Sequence, residues 1–107
     1  MKLELASAWL KREHVGFSDI HQFAIQCRDG VRDAGRESAA LVLLAERAAA
    51  FTERHEGVAV STDVVDEFLS EMRRETQLLL DASKNSDEAF FSALNAFATR
   101  LAPKLVV

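Results

Sequence analysis

From Ile20 to Thr52, ten positions follow one another in alternating steps of four and three: Ile20, Ala24, Cys27, Val31, Ala34, Ser38, Leu41, Ala45, Ala48 and Thr52. That is the rhythm of one helical seam. Six of the ten side chains are no bigger than cysteine, so a neighbouring helix can approach closely along it. The spacing predicts one long second helix over residues 19–55, capped by Ser18 or Asp19 and stopped at Gly57, with Arg54 and His55 in the last turn, where cations are favoured. Gly30 and Gly35 each cost about 1 kcal/mol relative to alanine inside a helix, and a turn at Asp29-Gly30 is the alternative. The continuous helix is preferred because the seam keeps its phase across both glycines. In addition, Arg28, Arg32 and Arg36 run beside Asp29, Asp33 and Glu37 as stripes of opposite charge, each pair contributing ~0.2–0.5 kcal/mol.

The flanking segments read as three more helices. A short first helix over residues 3–13 lines up Leu3, Ala6, Trp9 and Leu10, with Glu4, Ser7 and Lys11 on the other side. Val15-Gly16-Phe17 breaks it. A third helix, about 62–82, opens at Ser61, whose hydroxyl can accept an amide hydrogen bond, with Val60 and Val65 placed as a hydrophobic staple. Its inward set is Val65, Phe68, Leu69, Met72, Leu79 and Leu80; Glu67, Ser70, Glu71, Arg74 and Glu75 should face water. A fourth helix, about 87–101, begins at Ser86 with Asp87 and Glu88 in its first turn and ends before Pro103, which disfavours helical geometry at Ala102. Its stripe is Phe90, Leu94, Phe97 and Leu101. The expected fold is all-α: a bundle of about four helices in a single domain over residues 1–107.

Composition narrows the function classes. Seventeen acidic against thirteen basic side chains give a net charge of −4, which argues against gripping nucleic-acid phosphates. The longest apolar stretch, Ala39 to Ala45, is far below the ~20 residues that cross a bilayer. One cysteine excludes an intramolecular disulfide, and the opening residues carry Glu4 inside an apolar stretch, unlike a secretory leader. The expected setting is the cytoplasm.

Residues that could carry chemistry are few. His14, His21 and His55 have no Glu-x-x-His partner and no cysteine at ligand spacing, so no metal and no cofactor are expected. Cys27 belongs to the seam and reads as a small buried hydrophobe, with no cation arranged to activate it. The carboxylate pairs Glu53/Glu56 and Asp63/Asp66 are similar to the magnesium-binding pairs of helical nucleotide pyrophosphatases, yet Asp63 and Asp66 already serve a helix first turn and Glu56 lies at a fraying end. No phosphate-cradling glycine loop or serine elbow is present. No catalytic residue is assigned, and the chain is not expected to be an enzyme.

The run Ala39 to Ala45 followed by Ala48, Ala49, Ala50 and Phe51 is apolar almost all round, the mark of a helix that is either central or covered by another chain. With few other helices to cover it, an interface is expected at Ala39, Leu43, Leu44, Arg47, Ala50 and Phe51, with a homodimer or another protein as partner.

The tail Ser92-Ala93-Leu94-Asn95, then Leu101, Pro103-Lys104 and Val106-Val107, resembles the C-terminal end of the small helical quorum-sensing antiactivators of conjugative plasmids, and Asp19-Ile20 with Phe23 and Ile25 is similar to the start of their first long helix. That resemblance implies a cytoplasmic, bacterial, all-helical dimer that binds a transcription factor. The residues themselves point to a protein–protein interaction module: a regulator, inhibitor or assembly factor. A small-molecule binder or minor enzyme with a pocket between helices is the alternative, and an acidic mimic of nucleic acid is disfavoured because its acids alternate with arginines.

Overall fold

A computed structural model describes residues 2–105; Val106 and Val107, the last residues of the antiactivator resemblance, lie outside the described residues. The chain forms α1 (Leu3–Leu10), α2 (Phe17–Gly30), α3 (Ser38–Arg54), α4 (Thr62–Asn85) and α5 (Asp87–Leu105), with two 3-10 turns, Val31–Asp33 and Gly35–Glu37, between α2 and α3. The all-α bundle stands, with five α-helices among the described residues where about four were expected.

The long second helix does not form. The chain leaves α2 at Gly30, and Gly35 takes φ +60°, a left-handed conformation that ends helical propagation and that glycine adopts without strain. It then folds back. Arg28 of α2 pairs with Glu46 of α3 at 3.3 Å near the link, while Phe17 and His21 lie with Glu53 and Glu56 at the far end, so the two helices run antiparallel. The seam nevertheless keeps its phase, because each half faces the other. Ile20, Ala24 and Cys27 are buried on α2, and Leu41, Ala45, Ala48 and Thr52 on α3. The small side chains serve the close approach that the spacing predicts, but between two segments of one chain.

The link itself is an anchor. Glu37 Oε1 accepts from the Leu3 amide at 2.8 Å, capping the start of α1. The Ser38 hydroxyl donates to the carbonyls of Val31 (2.8 Å) and Gly35 (2.7 Å), which closes the turn. Arg36 donates to the Ser83 carbonyl, pairs with Asp87 and lies over the Phe90 ring at 5.2 Å, which joins the link to the α4–α5 corner. The charged stripe read as helix support is in large part a set of tertiary contacts.

α4 and α5 form a second antiparallel hairpin, and α1 packs back along α4 through a 2.6 Å hydrogen bond from Arg73 Nε to the Leu10 carbonyl. Ser61 Oγ accepts from the Val64 amide and Ser86 Oγ from the Ala89 amide, as the capping pattern requires. The cap of α2 lies two residues before Ser18 and three before Asp19: Gly16 is the cap residue, and Asp19 Oδ2 reaches back to accept its amide at 2.8 Å. α5 runs through Pro103 to Leu105. The helix tolerates proline there because the ring removes one hydrogen bond from a last turn that is ending anyway. α1 stops at Leu10, short of Glu13, and Ser7 is buried where solvent was expected.

The apolar faces meet in one core containing Leu3, Leu10, Phe23, Leu41, Leu44, Met72, Leu79 and Phe97. Trp9 packs on Phe23 with ring centroids 4.8 Å apart, and Phe51 stacks on Phe68 at 4.1 Å. α3 is the central element, packed against α2, α4 and α5. One polar group inside the core stands out. Thr76 is 0% exposed and its hydroxyl has no hydrogen-bond partner in the structure. An unsatisfied buried hydroxyl costs about 1–3 kcal/mol, and valine has nearly the same shape. Thr76→Val is therefore expected to stabilise the protein by about 1 kcal/mol, read as a higher urea midpoint at unchanged slope.

Candidate interaction surface

Helical periodicity in α3 and α5 gives each helix a second apolar edge beyond the one the core uses. From α3 come Ala39, Val42 and Leu43; from α5 come Phe91, Leu94, Asn95 and Ala98. Together they line an open groove of ≈ 460 Å³ containing no charged side chain. Phe91 is 68% exposed and Val42 42% exposed. Large apolar side chains clustered at one groove mark an interaction surface more often than isolated ones do.

The six residues expected at an interface divide. Ala39 is exposed and Leu43 half-buried, and both line the groove. Leu44 and Phe51 belong to the core of the chain itself and offer no surface, and Ala50 is half-buried. Arg47 is committed inside the bundle, bonded to Glu71 and lying over the Phe68 ring at 4.8 Å. The large apolar residue that projects most among the described residues, Phe91, comes from α5. The signal for it was in the sequence: Phe90 and Phe91 are adjacent, and a helix cannot turn both into one core.

Three helices are tied by charge. Arg47 Nε donates to Glu71 Oε2 at 2.9 Å and Lys104 Nζ to Glu71 Oε1 at 2.8 Å, joining α3, α4 and α5. Burial alone would raise the Glu71 carboxyl, but the hydrogen bonds and charges of Arg47 and Lys104 outweigh it and hold it below its ordinary range. A carboxyl with a lowered folded pKa adds stability that is fully present above its unfolded pKa and is lost as the pH falls through the folded one. The stability advantage of the wild type over Glu71→Gln should thus shrink between neutral pH and ~pH 3, measured by urea unfolding at each pH. Glu75, expected to face water, is 5% exposed and pairs with Arg100 Nε at 2.9 Å. Its charge sits on the inner side of α4 because α5 brings a cation to it.

A second groove, ≈ 300 Å³, runs between α2 and α3 and holds His21, Arg28, Glu53 and Glu56 on a floor of Ala24, Ala49 and Thr52. Asp66 lies instead by Lys11, Arg12 and Arg73 near the end of α1, so the two carboxylate pairs are not brought together. His14 is exposed in the α1–α2 loop, and His55 packs on Phe51 at the end of α3. Among the described residues, no three His, Cys, Asp or Glu side chains gather as a metal site. Cys27 is buried, and burial pushes its thiol up to about 12, which makes it a poor nucleophile. Among the described residues, no helix is long and apolar enough to cross a membrane. No protein-family model, curated protein or solved structure matches this chain.

Proposed function

We propose that the chain is a protein–protein interaction module, a small regulator, inhibitor or assembly factor, and that the α3–α5 groove is its docking face. The observation that carries this reading is Phe91, 68% exposed at an uncharged groove walled by Val42, Leu43 and Leu94. An aromatic anchor beside an apolar cleft is the usual centre of a binding surface. The tail resemblance supports the same class of activity, with a transcription factor as the kind of partner it implies. A single buried cysteine fits a reducing compartment, the cytoplasm.

The alternative, a small-molecule site, would use the α2–α3 groove. Its ≈ 300 Å³ stands at the lower end of ligand pockets, and Arg28 there is already engaged with Glu46. The docking reading is tested by affinity capture with wild type and with Phe91→Glu, compared by quantitative mass spectrometry. Proteins held by the wild type and reduced more than ~10-fold on the variant are expected, as for loss of a binding hot spot. Equal capture by both forms would remove the α3–α5 face from the function.

A further inference from the structure

We draw no further inference here: the strongest candidate, the groove between α2 and α3 that holds His21, Glu53 and Glu56, rests on exposed carboxylates with no second observation that points to a ligand.

Discussion

Leu44→Glu is expected to unfold the protein, whereas Leu43→Glu, one residue away, should leave its helical content intact. Leu44 is 0% exposed at the centre of α3, the helix that packs against α2, α4 and α5. Losing a buried leucine costs roughly 2–5 kcal/mol, and the glutamate would bring an unpaired carboxylate that costs several more. The sum approaches the whole stability of a domain, about 5–15 kcal/mol. Leu43 is half-buried at the groove, where a carboxylate can reach water, so its replacement should cost about 1–2 kcal/mol. Far-ultraviolet circular dichroism with urea titration separates the two outcomes. A folded Leu44→Glu would mean that α3 is not central.

The second large effect should come from the link between α2 and α3. Gly35 has φ +60° and Gly57 φ +74°, and a Cβ built at either meets nothing within 4 Å. Replacing either glycine with valine therefore carries a backbone cost, about 1–2 kcal/mol or more for a β-branched residue held left-handed. At Gly57 that should be all. At Gly35 the shift also disturbs Arg36, Glu37 and Ser38, which hold the α4–α5 corner, the start of α1 and the turn itself. Gly35→Val should lose about 2–4 kcal/mol, and the excess over Gly57→Val reports the anchors. At ~4–8 °C per kcal/mol the difference is readable by thermal unfolding. Equal losses at the two glycines would show that the link is a passive connection.

What the sequence disclosed and what it hid follow from the range of each interaction. Ser61, Ser86 and the stripe Val65, Phe68, Leu69, Met72, Leu79 and Leu80 were legible because caps and amphipathic faces are local. The α2–α3 break was hidden because a hairpin that buries both arms of a seam keeps the same four-three phase as one continuous helix. Gly30 and Gly35 were the competing signal, and the left-handed backbone at Gly35 decided it. Glu75 read as solvent-facing because its partner Arg100 is 25 residues away and no local rule announces it. At the candidate surface, periodicity found an apolar surplus on α3 but could not say which part the chain would cover. Leu44 and Phe51 turned inward, Ala39 and Leu43 stayed at the surface, and Phe91 entered from α5.

The α3–α5 face should be where another protein sits. A photo-crosslinking phenylalanine analogue placed at position 91 in cells, with the same analogue at exposed Val58 as control, tests this whatever the partner's identity. A discrete protein adduct from position 91, absent from position 58, is the expected result. Adducts at neither position, or the same adducts at both, would contradict the docking role of this face.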